Sequence, residues 1–105
     1  MRSILSAAAC GLLAASSAGL AAGDPAAGRI KSEACLGCHG IPSYNNTYPT
    51  YHVPKLSGQH ADYIVAALTA YSQGQRKHAT MNAQAMSMSV EDMADIGAFW
   101  QSQGN

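Results

Sequence analysis

Five consecutive residues, Cys35-Leu36-Gly37-Cys38-His39, constrain this 105-residue chain more than any other part of its sequence. Two cysteines separated by two residues and followed directly by a histidine form the pattern of covalent haem attachment. Each thiol can add to one vinyl group on the same haem edge, and the histidine then lies under the iron. The pattern therefore predicts one covalent haem c held by Cys35 and Cys38, with His39 as an iron ligand.

Other uses of a cysteine pair fit this sequence less well. A structural zinc site has four ligands, and His52, His60 and His78 do not form a pair at ligand spacing. A thioredoxin-like redox pair belongs to a βαβ unit, and no stretch alternates long enough to predict a strand. A disulfide between Cys35 and Cys38 would close almost no loop and would stabilise the fold little.

The amino-terminal segment has the order of a secretory signal peptide: a positive charge, an apolar stretch, then a run of small residues. Cleavage after Ala21 or Gly23 would place small residues at positions −3 and −1. The alternatives are a retained anchor helix and lipid attachment at Cys10, but the apolar stretch is shorter than the roughly 20 residues of a bilayer span. We predict a signal peptide over 1–23, one domain over 24–105 and export to the periplasm.

Charge indicates little about partners. The chain has six basic and six acidic side chains, so five basic ones remain once Arg2 leaves with the signal. The resulting net charge is about −1, and the basic residues form no stripe that could bind nucleic acid. No later segment is apolar enough to predict a transmembrane span. A domain this small commonly needs a covalent or metal staple, and a tethered haem would supply it.

Apolar periodicity predicts an all-α fold of three or so helices joined by long loops. The expected helices cover residues 26–34, ending at the cysteines, 59–73, and 89–103, which starts at a capping-box-like Ser/Asp pair. The intervening loops, 39–58 and 74–88, are long for so small a domain and are expected to wrap a cofactor. The expected apolar faces consist of Ile64, Ala67, Leu68, Tyr71, Met93, Ile96, Phe99 and Trp100.

A second axial ligand for the iron would come from elsewhere in the chain, and methionine raises the reduction potential. Met93 belongs to the apolar face of the last helix and is expected in the core. Met86 and Met88 lie close to the start of that helix and are expected to pack beneath it. Met81 occupies the middle of the predicted second loop, with room to reach the iron. His52 remains an alternative to Met81.

At this point the chain resembles the short bacterial class I cytochromes c, which occur as single-haem carriers and as halves of tandem two-haem proteins. The resemblance covers residues 26–102. It rests on Ala27-Gly28 ahead of the cysteines, Cys-x-x-Cys-His-Gly through Gly40, Val53 to Gln59, Gly74-x-Arg76 before the methionine, and Met88 to Ile96.

The resemblance implies the class I cytochrome c fold and a set of site residues. It makes Met81 the axial methionine opposite His39. It makes Pro54 the residue whose backbone carbonyl accepts a hydrogen bond from the His39 ring, which would fix the tautomer and raise ligand basicity. The family also crosses its first and last helices at a small residue facing an aromatic one, which implies Gly28 against Phe99 or Trp100.

The sequence departs from the family in the loop from Ile41 to His52, which is longer and rich in tyrosine. Tyr51, in that loop, is expected to pack structurally, with donation to a haem propionate as the alternative. Arg76 has two interpretations, a propionate partner or a solvated loop residue. His60 and His78 are expected to be exposed.

The protein side chains offer no acid–base pair and no nucleophile, so a cofactor would carry the chemistry. The sequence predicts an electron carrier in the periplasm, exchanging electrons with donor and acceptor proteins, and not an enzyme. The alternative is a haem subunit of a periplasmic dehydrogenase complex. A five-coordinate gas binder would need no methionine ligand, and in the resembling family that form is a four-helix bundle with its Cys-x-x-Cys-His near the carboxyl terminus.

Overall fold

The computed structural model describes residues 23–104, and the predicted signal peptide, except for Gly23, lies outside them. The elements in chain order are α1 (Pro25–Lys31), α2 (Glu33–His39), β1 (Asn45–Thr47), β2 (Thr50–His52), α3 (Ala61–Ser72), α4 (Ala79–Met86) and α5 (Val90–Ser102). The longest of these helices has 13 residues, and none within this range is long and apolar enough to cross a membrane.

The first predicted helix is in fact two helices, and the second carries the cysteine motif. Asp24 caps α1 by accepting from the Ala26 backbone N–H, and α1 ends at Ser32. The backbone then restarts as α2 and continues through the motif to His39. The prediction that the helix ends at the cysteines was therefore wrong, and the break lies three residues before Cys35.

Two further elements lie where only loops were predicted. β1 and β2 form a two-stranded antiparallel hairpin in which Asn46 pairs with Tyr51, so the prediction of no strand was wrong. Each strand has only three residues, too few for alternation to be visible in the sequence. Helix α4 was missed because only Ala85 of its eight residues is buried, so it shows no apolar stripe, although its alanines, methionines and glutamine are good helix formers.

The predicted apolar faces of α3 and α5 are confirmed. Helix α5 buries Met93, Ile96, Phe99 and Trp100, and α3 buries Ile64 and Leu68 against them. The start of α5 is a true capping box, because the Ser89 and Asp92 side chains each accept from the other's backbone N–H, at 3.0 and 2.9 Å. These two helices form the apolar floor on which the functional site is built.

Helices α1 and α5 cross at Gly28. A side-chain carbon added there would overlap the backbone oxygen of Asp95 and come within 2.9 Å of Phe99 Cβ. Only glycine allows the two backbones to approach this closely. The small residue faces Phe99, one of the two aromatics that the sequence offered for this crossing.

An ion cluster closes the same crossing. Lys31 on α1 contacts both Asp92 and Asp95 on α5, at 2.9 and 2.7 Å. The second Asp95 oxygen accepts from the backbone N–H of Asp24 at 2.8 Å. Asp95 is only 5% exposed, so these partners offset the cost of burying its charge. They hold its pKa below the usual range, the Lys31 ammonium most and then the Asp24 N–H.

Candidate functional site

The motif residues lie on α2, where Cys35 and Cys38 are one helical turn apart and so share a face. Both are free cysteines and both are partly buried. Burial, and then the neighbouring Cys38, raises the pKa of the Cys35 thiol. The pair therefore presents two thiols side by side on one wall of a cavity, the arrangement needed to reach one edge of a planar ligand.

The ring of His39 is oriented by the backbone of a distant segment. Its Nδ1 donates to the carbonyl oxygen of Pro54 at 2.7 Å, the contact that the family resemblance implied. A carbonyl can only accept, so the proton of the neutral ring is on Nδ1. The lone pair of Nε2 is then available to a metal, and the hydrogen bond raises its basicity.

Met81 lies on α4, in the first turn of that helix, rather than in a loop as predicted. Its side chain is half-buried and packs against the core. Asn82 fixes this turn: its amide nitrogen donates to the carbonyls of Tyr71 and Arg76, both at 2.8 Å, and its oxygen accepts from the His78 N–H at 2.9 Å. Sequence reasoning missed Asn82, whose only signal was an amide side chain beside a candidate ligand.

The motif residues, Pro54 and Met81 line one cavity of about 420 Å³, within the range of cofactor sites. Its apolar floor, made by α3 and α5, includes the buried Ile64, Leu68 and Ile96. Cysteine and histidine of α2 and methionine of α4 line the same space. The polar lining includes Lys55, Arg76, Tyr51, His52, His78, Gln59, Gln84 and Thr80.

This lining fits a haem. The floor suits a flat apolar ring, and the cationic Lys55 and Arg76 suit its carboxylates. Thiols, an oriented imidazole and a thioether supply sulfur and nitrogen donors of the kind that bind haem. Among residues 23–104, no group of three His, Cys, Asp or Glu side chains is placed to hold a bare metal ion. The residues therefore match a macrocycle that brings its own iron better than they match zinc.

The remaining methionines fall into three environments. Met93 is buried in the core, as predicted. Met88 is half-buried, lines the cavity and packs against the core. Met86 is 73% exposed, so the expectation that it packs beneath α5 was wrong: it is the last residue of α4 and its side chain faces away from the core.

The polar residues that the sequence singled out also lie in different environments. His60 is exposed, as predicted, and His52 is an exposed residue that nevertheless lines the cavity. His78 was expected to be exposed, but it is half-buried because its ring packs edge-on against Tyr51, with centroids 4.5 Å apart. Arg76 is exposed, yet it lines the cavity and its guanidinium stands 4.9 Å over the Tyr71 ring.

Comparison with known proteins agrees with this site. The family model of cytochrome c matches residues 26–103. Cytochrome c-554(548) of Halomonas halodenitrificans is 44% identical over 85 residues, covering 78% of this chain and 99% of that protein.

Two cytochromes c4 are also similar. That of Thiocapsa roseopersicina is 39% identical over 82 residues, covering 77% of this chain and 41% of the relative. That of Pseudomonas aeruginosa is 36% identical over 83 residues, covering 79% and 40%. The chain thus spans about two-fifths of the length of these two relatives. The matched span and the cavity together show that the chain belongs to the cytochrome c family. It is a short bacterial class I electron carrier with one covalently bound haem c.

Proposed function

We propose that the chain carries single electrons in the bacterial periplasm through a haem c that is attached at Cys35 and Cys38 and ligated by His39 and Met81. The observation that carries this proposal is that these four residues, from α2 and α4, line one cavity with an apolar floor. The haem supplies a reversible one-electron change at its iron. The residues around the haem determine the relative stability of its oxidised and reduced states, and so its reduction potential.

Each of these residues has a distinct part. His39 presents Nε2 because Pro54 holds the other ring nitrogen. The thioether of Met81 is a neutral, soft donor that favours the reduced iron and so raises the reduction potential. Ile64, Leu68 and Ile96 exclude water from the ring face, which also favours the less charged state. His39 and Met81 would both bind the iron of a bound haem and so would leave no coordination position for a substrate, as an electron carrier requires.

The ligand assignment is tested by methionine substitutions. Met81→Ala should abolish the weak red thioether-to-iron absorption band of the oxidised protein and lower its reduction potential. Met86→Ala is the control, since that side chain is 73% exposed. Met88→Ala tests the rival methionine in the cavity lining and should leave the band in place. A band that persists in Met81→Ala, or disappears in Met88→Ala, would refute the assignment.

Export and processing at Gly23 are part of the proposal. Asp24 caps α1, and its backbone nitrogen lies 2.8 Å from a buried Asp95 oxygen. Cleavage after Gly23 would turn that nitrogen into an α-ammonium and add a positive charge to a cluster in which one lysine faces two carboxylates. Intact mass of the periplasmic protein should equal residues 24–105 plus one haem, and a mass that includes Gly23 or earlier residues would contradict this site.

Two modes of action remain to be separated, a diffusing carrier and a subunit of a periplasmic dehydrogenase complex. The carrier is favoured because the similarity to cytochrome c-554(548) covers 99% of that protein, so this one domain matches a whole cytochrome. Size-exclusion chromatography of a native periplasmic extract should show the haem absorbance at the mass of the single chain. Co-elution with a flavin- or metal-containing enzyme would favour the subunit.

A further inference from the structure

One short segment touches both sides of the haem cavity. At one end, the carbonyl of Pro54 orients the proximal His39 ring at 2.7 Å. Three residues earlier, Tyr51 on β2 reaches α4: its hydroxyl lies 3.2 Å from the Thr80 hydroxyl, and its ring meets the His78 ring edge-on at 4.5 Å. Thr80 directly precedes Met81. The hairpin segment therefore connects the two elements that carry the axial side chains.

We propose that Tyr51 is a positioning residue that holds the first turn of α4 so that Met81 stays on the iron. This inference rests on the proposed ligation by Met81. The loop from Ile41 to His52, in which this chain differs from its family, would thus oppose dissociation of Met81 from the iron.

Apart from the Asn82 hydrogen bonds, few contacts hold the start of helix α4. It buries one residue, Ala85, and its N-cap residue His78 makes no side-chain capping bond. The first turn of a helix has unsatisfied N–H groups and opens easily unless it is tied down. Asn82 anchors this turn towards α3. Tyr51 adds a contact from the hairpin, through Thr80, the residue next to Met81.

The hairpin is itself well enough braced to act as a support. The register pairs Tyr51 with Asn46, and the Val53 N–H donates to the Tyr44 carbonyl at 3.0 Å. Within the turn, the Asn46 amide donates to the Pro49 carbonyl at 2.6 Å. Val53, between Tyr51 and Pro54, is buried. The hydroxyl of Tyr51 is thus presented from a fixed backbone, which lowers the entropic cost of the bridge to Thr80.

The test uses imidazole as a competing ligand for the iron in the oxidised holoprotein. Imidazole can bind only when Met81 leaves, so its apparent affinity measures how firmly the thioether is held. Tyr51→Phe removes the hydroxyl and keeps the ring. Because one neutral hydrogen bond is at stake, imidazole should bind about two- to tenfold more tightly. Tyr48→Phe is the matched control, since Tyr48 is in the same hairpin and 96% exposed, and it should leave the affinity unchanged.

The partner hydroxyl gives an independent measurement. Thr80→Val should raise imidazole affinity by the same factor as Tyr51→Phe, while Thr80→Ser, which keeps the hydroxyl, should restore the wild-type value. The double variant Tyr51→Phe/Thr80→Val should bind imidazole no more tightly than either single variant, because both substitutions remove the same hydrogen bond. A generally loosened fold would instead give additive changes and would not be rescued by serine.

The outcomes separate the bridge from the ligation on which it rests. If Met81→Ala loses the red band but Tyr51→Phe and Tyr48→Phe bind imidazole equally, Met81 is the ligand and the proposed role of Tyr51 is wrong. If Met81→Ala retains the band, the ligand assignment fails, and the role of Tyr51 in it fails too. Tighter imidazole binding in Tyr51→Phe and Thr80→Val, without additivity, supports the proposal.

Discussion

The two sides of this small domain are held together by different means. The α1–α5 crossing and the α3 face behind it are closed by protein contacts: a glycine against a backbone, a buried carboxylate with its lysine, and a nearly completely buried Trp100. The cavity wall made by α4 and the hairpin has little of this. Helix α4 buries Ala85 alone, and no residue of β1 or β2 is fully buried.

The difference indicates which side depends on the cofactor. A wall with so few buried apolar groups gains little from burial between protein groups. Several of its side chains, among them Tyr51, Thr80 and Met81, line the cavity instead. Covalent haem would supply the missing apolar surface and the bond to Met81. The α1–α5 side needs neither, so the protein divides into a scaffold that the chain stabilises itself and a wall that the haem completes.

The largest expected effect comes from removing the attachment. Cys35→Ser/Cys38→Ser should abolish covalent haem, so the exported protein should lack one haem mass. Without the haem, amide hydrogen exchange should rise most in α4 and the hairpin and least in α5, because their stability has different sources. Gly37→Ala is the control inside the motif, since an added methyl group meets nothing within 4 Å. Equal loss of protection in α4 and α5 would contradict the division.

On the scaffold side, the largest loss of stability is expected at Gly28. Gly28→Ala places a methyl group against the Asp95 backbone, so the two helices would have to move apart. We expect a loss of about 2–3 kcal/mol in the free energy of unfolding of the holoprotein, the scale of overpacking. Gly37→Ala, on the surface of α2, should instead be neutral or stabilising by up to about 1 kcal/mol. Chemical denaturation measures both, and similar values would argue against a close crossing.

A smaller effect is expected at the α5 cap. Ser89→Ala removes the oxygen that accepts from the Asp92 N–H, so the free energy of unfolding should fall by about 1 kcal/mol. Ser87→Ala, two residues earlier, is the comparison, because that exposed hydroxyl caps no helix start. Thermal unfolding of both variants distinguishes a capping role from a general cost of losing serine.

The smallest effect is an acid dependence of the scaffold. The Ser89 N–H and then Lys31 lower the pKa of Asp92, and Lys31 and the Asp24 N–H lower that of Asp95. A carboxylate whose pKa is lower in the folded state stabilises the fold above its unfolded pKa, about 3.9, and this stabilisation is lost as pH falls through the folded pKa. Stability should therefore decline below about pH 4.

The control for this pH dependence is in the same helix. Asp95→Asn should flatten the acid limb of a plot of unfolding free energy against pH, whereas Glu91→Gln, at an exposed position on α5, should leave it unchanged. Solvent screening of the Lys31 side chain keeps the effect small. An acid limb that is unaltered in Asp95→Asn would mean that other carboxylates dominate.

Patterns among neighbouring residues were sufficient to predict much of the structure of this protein. The spacing of Cys35, Cys38 and His39 predicted haem attachment because two thiols and an imidazole must reach one macrocycle. The capping box at Ser89 and the apolar periodicity of α3 and α5 predicted helices correctly, because caps and helical faces depend on residues three or four positions apart.

Only the tertiary structure decided the rest of the cavity wall. The break at Ser32, the hairpin and α4 have weak local signals, since three-residue strands and a helix with one buried residue show no clear period. The contacts that place Met81 join residues far apart: Asn82 to the Tyr71 carbonyl across 11 positions, and Tyr51 to Thr80 across 29. Such contacts depend on how the elements pack around the cavity, and a pattern confined to neighbouring residues carries no trace of them.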